Sequence, residues 1–260
     1  MSDIPIVVPS YKRVETFEQK TLTLLKRYDV DLRRLHLFVA DAAERDRYFR
    51  VTPREATIVV AEPGMMAVRN FIAGWFPDRQ PIVCLDDDIV SLHRRINAKK
   101  HEPLERFDVM AEDGFEACET SGARLWGIYP VLNAMFMKSR VTTDLRYIVG
   151  CVWGALNNPK VQVTTDDKED FERSMLYYQR DDAVVRLEYI APKTAYYSEP
   201  GGMQVERTDA RVRSSAIYLT ERYPSLCTLN TSKKSGRWEV RLKDKRLQRM
   251  KARRPCRRRP

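Results

Sequence analysis

Short apolar runs alternate with segments of helical spacing through the first 85 residues of the chain. The spacing of residues such as Phe17, Leu24 and Leu25 predicts helices at 14–27, 42–50 and 65–76. The apolar runs predict buried strands at 4–8, 35–40, 57–60 and 82–85. Because strands that alternate with helices form parallel sheets with right-handed crossovers, we expect a mostly parallel α/β sheet in this part of the chain.

The pattern changes after residue 88. Helical spacing predicts helices at 104–120, 167–179 and 208–222. Several predicted strands have no helix between them, and they lie at 124–128, 135–137, 147–152, 184–190 and 238–242. We therefore expect one α/β domain over residues 1–242, which combines a Rossmann-like nucleotide-binding half at 1–100 with a mixed-sheet half at 101–242. A basic tail is expected at 243–260.

Three consecutive carboxylates, Asp86, Asp87 and Asp88, follow the fourth predicted strand directly. In an open α/β sheet, ligands bind beyond the carboxyl ends of the strands. Three acids at that edge repel one another, and their hard oxygen ligands suit Mg²⁺ or Mn²⁺, which commonly keep waters and add a substrate phosphate. The triplet therefore predicts a metal held against a nucleotide diphosphate, with an acidic helix N-cap as the alternative.

Two further loops are expected to converge on the same edge of the sheet. Residues 9–13, Pro-Ser-Tyr-Lys-Arg, offer a nucleotide an aromatic ring, hydroxyls and two cations, although an ordinary strand–helix turn has a similar sequence. Pro63 and Gly64 predict a sharp turn into a helix whose first turn can face a phosphate. Arg69 and Asn70 would then point to the nucleotide, or Arg69 would form a structural ion pair.

A cluster of acids at 164–173 begins a later predicted helix. Glu169 and Asp170 are adjacent there, so a helix aims them in different directions and only one can be the main catalytic group. A carboxylate at this place can take a proton from a hydroxyl group as it attacks a sugar. The alternative is that these acids complement the dipole of the helix in its first turn.

The chain of 260 residues has a net charge of +10, and the excess lies at its end. Residues 233–260 contain 14 Lys and Arg against two acids, a net charge of +12, whereas the other 32 basic and 34 acidic residues leave −2. Such a tail suits a polyanion such as nucleic acid, or an anionic membrane surface, with a solubilising terminus as the alternative.

Composition indicates a globular protein of a reducing compartment, with 43% hydrophobic and 32% charged residues. An apolar run of about 18 residues, as a transmembrane helix needs, does not occur in the sequence. The first apolar run, at 4–8, is too short for a signal peptide. The five cysteines are odd in number and far apart, which fits neither a disulfide framework nor a zinc site, so we expect a cytoplasmic protein.

The sequences at 9–13, 62–70, 82–88 and 169–170 together resemble nucleotide-sugar glycosyltransferases of the A-type fold, and Asp86-Asp87-Asp88 is similar to their Asp-x-Asp metal motif. The resemblance implies that Asp88, with Asp86, holds a metal. It implies that Asp170, with Glu169 as runner-up, is the general base of an inverting displacement. The donor-binding residues that it implies are Pro9, Ser10, Tyr11, Arg13, Arg69, Asn70, Asp86 and Asp87.

This chain departs from the A-type pattern in its histidines. Such transferases often use a late His as a third metal ligand, whereas the only histidines here are His36, His93 and His101. The third protein ligand is then absent or an acid, and the resemblance implies a modest metal affinity.

Residues 197–204 and 234–241 resemble, more narrowly, the TET-associated glycosyltransferases of bacteriophages, which are thought to add sugars to 5-hydroxymethylpyrimidines in DNA. This resemblance implies a nucleoside diphosphate sugar donor such as a UDP-sugar, Mn²⁺ or Mg²⁺, DNA containing 5-hydroxymethylcytosine as acceptor, and the host cytoplasm as location. The DNA contacts that we expect are Lys233, Lys234, Arg237, Trp238, Lys245 and Arg246. We expect no membrane partner, and the sequence indicates neither the sugar nor the oligomeric state.

Three other functions fit parts of the sequence. A metal-dependent nucleotidyltransferase also uses paired acids, but residues 9–13 lack the glycines of a phosphate loop. A non-catalytic nucleic-acid-binding protein leaves the acids at 86–88 and 166–170 unexplained. A glycosyltransferase with a polysaccharide or protein acceptor stays open, because a fold does not identify an acceptor.

Overall fold

The computed structural model describes residues 3–194, 201–202, 208–232 and 238–244 of the chain. The strands within these residues are β1 (Ile6–Pro9), β2 (Leu35–Val39), β3 (Thr57–Val60), β4 (Pro81–Leu85), β5 (Ser91–Arg95), β6 (His101–Pro103), β7 (Leu125–Ile128), β8 (Val141–Thr142), β9 (Val152–Leu156), β10 (Val185–Leu187), β11 (Ile190–Lys193), β12 (Cys227–Asn230) and β13 (Glu239–Leu242).

Eight of these strands form one mixed sheet in the order β3-β2-β1-β4-β9-β7-β10-β8. The first four run parallel to one another, as the alternating pattern predicts. β9 is antiparallel to both β4 and β7, and β8 is antiparallel to β10. Because β1 to β4 are parallel, their carboxyl ends meet at one edge of the sheet, which is where an α/β sheet binds its ligands.

The helices are α1 (Val14–Phe17), α2 (Thr23–Arg27), α3 (Ala42–Tyr48), α4 (Met65–Trp75), α5 (Phe107–Ser121), α6 (Glu169–Asp181) and α7 (Asp209–Arg222). A π-helical turn, Glu18–Leu22, joins α1 to α2, and a 3₁₀ turn, Leu32–Arg34, precedes β2. Asp41 caps the first turn of α3 by accepting a hydrogen bond from the backbone N–H of Glu44.

Separate apolar clusters cover the two faces of the large sheet. Phe17 of α1 and Phe107 of α5 belong to the cluster on one face. Ile72 of α4 and Tyr177 of α6 belong to the cluster on the other. A third cluster packs α7 and the β12–β13 hairpin against Met175 of α6, so the last described residues are held beside the start of the helix that carries the predicted base.

Two small antiparallel sheets complete the fold. One has the order β11-β5-β6, and its central strand begins three residues after Asp88. The other is the β12–β13 hairpin. Beyond this hairpin, Asp244 accepts a hydrogen bond of 3.0 Å from the buried Arg146, which ties the chain to the loop before β9.

Two predicted strands are wrong, and in each case side chains bind the backbone that a sheet would otherwise pair. Residues 147–150 precede β9 as an irregular segment, where Ser174 accepts a hydrogen bond from the N–H of Ile148 and Asp170 accepts one from that of Gly150. Residues 135–137 form a turn around Asn133, whose side chain accepts from the N–H of Met135.

The predicted strand at 184–190 is two strands, β10 and β11, which lie in different sheets. Four short strands, β5, β6, β8 and β12, were not predicted from the sequence. None of the helices in the described residues is long and apolar enough to cross a membrane. Four of the five cysteines lie within the described ranges, where all are buried free thiols.

Candidate active site

A cleft of about 260 Å³ lies beyond the carboxyl ends of the parallel strands. All four loops that the sequence singled out contribute to its walls. Ten of the predicted site residues line it: Pro9, Ser10, Tyr11, Arg13, Arg69, Asp86, Asp87, Asp88, Glu169 and Asp170. The fold therefore brings these ten residues, which are up to 161 positions apart in the sequence, to one place.

Asp87 is tied into the loop after β1. Its carboxylate accepts a hydrogen bond of 2.5 Å from the hydroxyl of Ser10 and one of 3.2 Å from the guanidinium of Arg13. Burial raises the pKa of Asp87 to about 6, and Asp88 adds to this, although Arg13 and Ser10 oppose it. Asp87 thus holds the loop of residues 9–13 against the end of β4.

Asp86 accepts a hydrogen bond of 3.1 Å from Arg69. About a third of its side chain, 32%, remains accessible, and this surface faces the cleft that Asp86 lines. Removal from bulk water nonetheless raises the pKa of Asp86 to about 7, with Arg69 opposing the shift and the neighbouring Asp88 and Asp87 adding to it. A cation in the cleft would favour the ionised form.

Asp88 has the least engaged carboxylate of the triplet. Its ion pair with Arg13 is long, at 3.9 Å, and its side chain is 13% exposed. The described residues contain no group of three or more His, Cys, Asp or Glu side chains that could hold a metal. Asp88 and Asp86 can therefore supply only part of a coordination shell, as is usual for Mg²⁺ sites completed by water and substrate phosphates.

The histidines lie elsewhere. His93 contacts His101 at 3.2 Å between their Nδ1 atoms, in the small sheet of β5 and β6. His36 packs its ring against Phe76 on the far side of β2. None of these three histidines, which are the only ones in the chain, lines the cleft.

Arg69 is a buried bridge between the two sides of the cleft. Its guanidinium donates to Asp86 at 3.1 Å, to Glu169 at 3.1 Å and to the carbonyl of Gly150 at 3.3 Å. Arg69 thus forms the structural ion pairs that the sequence offered as one alternative, and because it also lines the cleft, its contact with a nucleotide stays a prediction.

Glu169 and Asp170 have different surroundings, as adjacent residues of a helix should. Glu169 is buried between two cations, at 3.1 Å from Arg69 and 3.6 Å from Arg173. Arg173 in turn lies 4.0 Å over the ring of Trp153. Glu169 therefore belongs to a buried charge cluster in the wall of the cleft, where the positive charges of Arg69 and Arg173 oppose its protonation.

Asp170 accepts hydrogen bonds only from neutral groups in the described residues. These are the hydroxyl of Tyr147 at 2.5 Å, the N–H of Phe171 at 2.9 Å and the N–H of Gly150 at 3.3 Å. Burial raises the pKa of Asp170, and the charge of Glu169 adds to this, although the Tyr147 hydroxyl opposes it. A carboxylate with a raised pKa is the better proton acceptor, so the geometry favours Asp170 over Glu169 as a base.

The start of α4 differs from the expectation. Gly64 has a positive φ of 101°, as the sharp turn requires. The backbone N–H of Met66, however, donates to the carboxylate of Asp166 at 2.9 Å. Asp166 thus accepts from one of the N–H groups that we expected a phosphate to use. A carboxylate and a phosphate are both favoured at this place, because each is an anion at the positive end of the helix dipole.

Asn70 does not line the cleft, contrary to what its predicted donor-binding role requires. Its side-chain amide exchanges two hydrogen bonds with the backbone of Val163, at 2.9 and 2.8 Å. Asn70 therefore holds the chain that leads into the acidic loop at 164–170. The sequence spacing placed it correctly on α4 but did not reveal which way its amide points.

Gly201 and Gly202 pack on the loop after β1. The N–H of Gly202 donates to the carbonyl of Tyr11 at 3.2 Å, and both glycines have positive φ. A Cβ atom on Gly201 would lie 2.6 Å from the carbonyl oxygen of Lys12. Only glycine allows such a close approach of two backbone segments.

The C-terminal hairpin reaches the cleft through an ion pair. Lys168, which precedes α6, donates to Glu239 at 2.7 Å, and both line the cleft. The neighbouring Trp238 is half-buried, with Arg213 of α7 lying 3.8 Å over its ring. The other predicted DNA contacts, Lys233, Lys234, Arg237, Lys245 and Arg246, lie outside the described residues.

Sequence reasoning missed three side chains that shape the site. Tyr48, at the end of α3, contacts Ser10 at 2.6 Å and accepts from the N–H of Arg13. Tyr147 donates to Asp170, and Arg173 faces Glu169. Arg173 lies one turn after Glu169, so its spacing could have revealed the pair, whereas the two tyrosines carry no local signal.

No protein family model matches the chain, and no curated protein is similar to it in sequence. Solved structures do match. A mannosyltransferase from Pyrobaculum calidifontis, solved with GDP-Man and Mn²⁺, is 12% identical, with a TM-score of 0.46 over 71% of this chain and 56% of its own. TarS 1-349 of S. aureus, also solved with UDP, is 12% identical, with a TM-score of 0.47 over 84% of this chain and 65% of its own. The chain therefore spans less than two thirds of either structure.

Glucosyl-3-phosphoglycerate synthase from Mycobacterium tuberculosis aligns more fully. It is 11% identical, with a TM-score of 0.50 over 92% of this chain and 86% of its own, and was solved with Mn²⁺, UDP and glucosyl-3-phosphoglycerate. At this identity the similarity concerns the fold, and it agrees with the mixed sheet and with the cleft at its carboxyl edge. The chain has the A-type fold of nucleotide-sugar glycosyltransferases.

Proposed function

We propose that this protein is a metal-dependent glycosyltransferase that moves a sugar from a nucleoside diphosphate sugar, such as a UDP-sugar, to the hydroxyl of 5-hydroxymethylcytosine in DNA. The A-type fold supports the reaction class. The acceptor is supported by the charge of the chain and by the sequence resemblance at 197–204 and 234–241.

One observation carries the proposal: Asp88 and Asp170 line the same cleft. Within the described part of the chain, Asp88 has only a long ion pair with Arg13, so its oxygens remain available to a cation. Asp170 is held by neutral donors and has a raised pKa, as a general base requires. A purely structural acid cluster would pair both carboxylates with the nearby guanidiniums, and Glu169 already fills that role.

The residues present fit a divalent metal bound together with its substrate. Asp88, with Asp86, would supply carboxylate oxygens, and the donor diphosphate and water would complete the shell. When bound, Mn²⁺ or Mg²⁺ supplies positive charge that stabilises the departing diphosphate. Burial is the main cause of the raised pKa of Asp86, and the charges of Asp88 and Asp87 add to it, so a bound cation would favour the ionised carboxylate.

The protein's own residues would bind the donor and manage the proton. Tyr11 and Arg13 border the cleft on the β1 side, where an aromatic ring and a cation suit a nucleotide. As the acceptor oxygen bonds to the anomeric carbon, the bond from that carbon to the diphosphate oxygen breaks through an oxocarbenium-like state. The acceptor hydroxyl proton passes to the carboxylate of Asp170, and the nucleoside diphosphate leaves.

The acceptor must approach a carboxylate that lies inside a cleft. A 5-hydroxymethyl group in duplex DNA lies in the major groove, so the enzyme has to reach in or take the nucleotide out of the stack. The tail at 233–260, with its net charge of +12, supports a polyanionic partner. The ion pair between Lys168 and Glu239 connects the β12–β13 hairpin, whose second strand lies within this basic segment, to the start of α6.

Nucleoside mass spectrometry tests the proposal directly. DNA containing 5-hydroxymethylcytosine is incubated with the protein, Mn²⁺ and a panel of nucleoside diphosphate sugars, with Asp170→Asn as the matched inactive control. A mass gain of one sugar on that nucleoside, absent from the control, is the expected result. Release of nucleoside diphosphate without any DNA product would keep the transferase reaction and reject the DNA acceptor. Neither product would reject the proposed function.

A truncation separates the tail from the donor site. Removing residues 245–260 should weaken DNA binding and its salt dependence, while release of nucleoside diphosphate continues. The cut has to follow Asp244, because Asp244 accepts a hydrogen bond from the buried Arg146 and its loss would leave that charge with one partner fewer. An unchanged salt dependence would exclude the tail as a DNA contact.

A further inference from the structure

A surface at the β5–β6 connection and the turn after β7 combines positive charge with exposed apolar side chains. It consists of residues 94–100, at the connection between β5 and β6, and residues 131–140, which form the turn after β7; we call it the rim surface. These two ranges contain six basic residues and no acidic ones: Arg94, Arg95, Lys99, Lys100, Lys138 and Arg140. Lys99, Lys138 and Arg140 are exposed, whereas Lys100 pairs with Glu102.

The apolar side chains of the rim surface are unusually exposed. Met135 is 60% exposed, Phe136 58%, Val131 53% and Ile96 49%. These are four of the nine large hydrophobic side chains that are exposed among the described residues, and they occupy only two short stretches. Single exposed hydrophobics need no explanation, whereas a cluster rimmed by charge is typical of a binding surface.

The rim surface is held together and is not a pair of independent loops. Arg95 of β5 donates to the carbonyl of Ala134 at 3.1 Å and to the hydroxyl of Ser139 at 2.9 Å. The N–H of Lys138 donates to the carbonyl of Glu188 at 3.0 Å. Phe136 and Met135 therefore project from a turn whose backbone is fixed on both sides.

β5 joins the rim surface to the candidate active site, although none of the residues of the rim surface lines the cleft. β5 begins at Ser91, three residues after Asp88, and Ser91 pairs with Lys193 of β11. Thr194, the next residue, lines the cleft. At a rise of about 3.3 Å per residue, Ile96 lies roughly 17 Å from Ser91 along the strand. A duplex that delivers one nucleotide to the cleft would place phosphates of neighbouring base pairs at this distance.

We propose that the rim surface binds duplex DNA beside the acceptor nucleotide, with its basic residues on phosphates and Phe136 with Met135 against a base step. This rests on the proposed function, whose acceptor it would position. Apolar side chains that enter a base step unstack it, and unstacking is what brings a base out of the duplex to a buried catalytic group. The lysines and arginines around the apolar centre complement a backbone with one charge per about 1.7 Å.

An anionic membrane would also attract basic and apolar side chains. Membrane-surface segments are commonly amphipathic helices, which satisfy their own backbone groups. The rim surface is instead a strand connection and a turn, and any N–H and C=O groups that entered the hydrocarbon region with the apolar side chains would lose water without gaining partners. A hydrated nucleic acid does not impose that cost, so the geometry favours DNA.

The first test measures DNA affinity against salt for the full chain and an unmodified duplex. The variant is Lys99→Gln/Lys138→Gln/Arg140→Gln, and the control, with an equal change of charge on exposed positions elsewhere, is Lys26→Gln/Arg27→Gln/Arg54→Gln. Loss of three phosphate contacts should reduce the slope of log K against log salt by about 2.7 in the rim variant. The control should keep the wild-type slope. Equal slopes in all three proteins would overturn the proposal.

The second test addresses the apolar centre. Phe136→Ala is compared with Phe49→Ala, because Phe49 is 67% exposed and lies outside the rim surface. With 2-aminopurine beside 5-hydroxymethylcytosine in the duplex, wild type and Phe49→Ala should raise its fluorescence and Phe136→Ala should not. An equal rise with Phe136→Ala would exclude the contact with a base step.

The two proposals fail in different ways. If wild type transfers sugar to DNA but the rim variants bind and unstack it normally, the rim surface is excluded and the proposed function stands. If wild type binds duplex through the rim surface but transfers no sugar, the proposed function fails instead. If wild type binds vesicles of equal phosphatidylglycerol and phosphatidylcholine but no duplex, and the rim variant loses this binding, the surface serves a membrane and the DNA proposal is rejected.

Discussion

Adjacent substitutions at Glu169 and Asp170 should have opposite effects on rate and stability. Asp170→Asn removes the only group that we assign as proton acceptor. Glu169→Gln removes a buried charge that two guanidiniums share, those of Arg69 at 3.1 Å and Arg173 at 3.6 Å. Both changes replace a carboxylate by an amide of the same size, so the comparison isolates charge and proton transfer from side-chain volume.

The expected loss in rate for Asp170→Asn follows from the contribution of a positioned base, about 100- to 10,000-fold. The fold should be little affected. An Asn oxygen can still accept from the N–H of Phe171, and the hydroxyl of Tyr147 can turn to accept from the new amide. We expect the free energy of unfolding to change by no more than about 1 kcal/mol, the usual worth of one neutral hydrogen bond.

Glu169→Gln should instead lower the stability and leave the rate of transfer nearly unchanged. Removing one partner of a buried ion pair costs about 3–5 kcal/mol, because the other charge stays buried without compensation. The amide oxygen can still accept from Nε of Arg69, which places the expected loss near the lower end, at about 3 kcal/mol. The folded fraction should keep a transfer rate within about tenfold of wild type, since the proton acceptor is unchanged.

Urea unfolding and single-turnover transfer measured on the same preparations provide the assay. The key comparison is kcat for the folded protein, with donor saturating. A Glu169→Gln protein that is as stable as wild type but inactive, beside an active Asp170→Asn protein, would show that Glu169 is the base. That result would refute the assignment drawn from the burial of Glu169 between Arg69 and Arg173.

Three further predictions test other parts of the site. Asp88→Ala should abolish the increase in thermal stability that Mn²⁺ with UDP gives the wild-type protein, because bound ligand stabilises the folded state by mass action; a retained increase would exclude Asp88 as a ligand. Tyr147→Phe removes the hydroxyl that favours ionised Asp170, so the pKa of Asp170 should rise further and the acidic limb of the pH–rate profile should move to higher pH. A limb that stays in place would mean that another group limits the rate. Gly201→Ala should raise KM for the donor, because its Cβ would lie 2.6 Å from the carbonyl oxygen of Lys12 and displace the loop at 9–13; an unchanged KM would separate that loop from donor binding.

The sequence alone determined the first half of the fold. Alternating apolar runs and helical segments up to residue 85 reproduce β1 to β4 and the helices between them, because the central strands are continuous apolar runs buried on both faces and the helices bury one regular face. The parallel order then brings the loops after β1, β3 and β4 together, so the residues at 9–13, 62–70 and 86–88 were correctly expected at one edge.

The spacing of apolar residues predicted the second half of the chain less well, because side chains there bind backbone groups that a sheet would otherwise pair. Residues 147–150 are apolar enough to resemble a strand, yet Ser174 and Asp170 of α6 take up their N–H groups. The pairing partner here is a helix more than 20 positions away, and periodicity within the segment contains no information about it. The same holds for β5 and β6, whose charged sequence depends on the surrounding sheet for its conformation.

The sequence also identified the carboxylates of the candidate site, whereas only the tertiary structure showed which contacts each carboxylate makes. Asp86, Asp87 and Asp88 are equivalent by sequence, but Arg69 binds the first, Ser10 and Arg13 bind the second, and the third has only a long ion pair with Arg13 among the described residues. These partners lie up to 78 residues away from the triplet in the chain.

The choice between Glu169 and Asp170 has the same physical origin. Composition and spacing put two acids at the start of α6, and the direction of each side chain then follows from the helix. Whether a carboxylate meets a guanidinium or a hydroxyl depends on Arg69 and Tyr147, which reach it from other elements. The sequence thus determines where the charged residues lie along the chain. The pKa of each carboxyl group, and whether its oxygens are available to a ligand, depend on long-range contacts that form only when the chain folds.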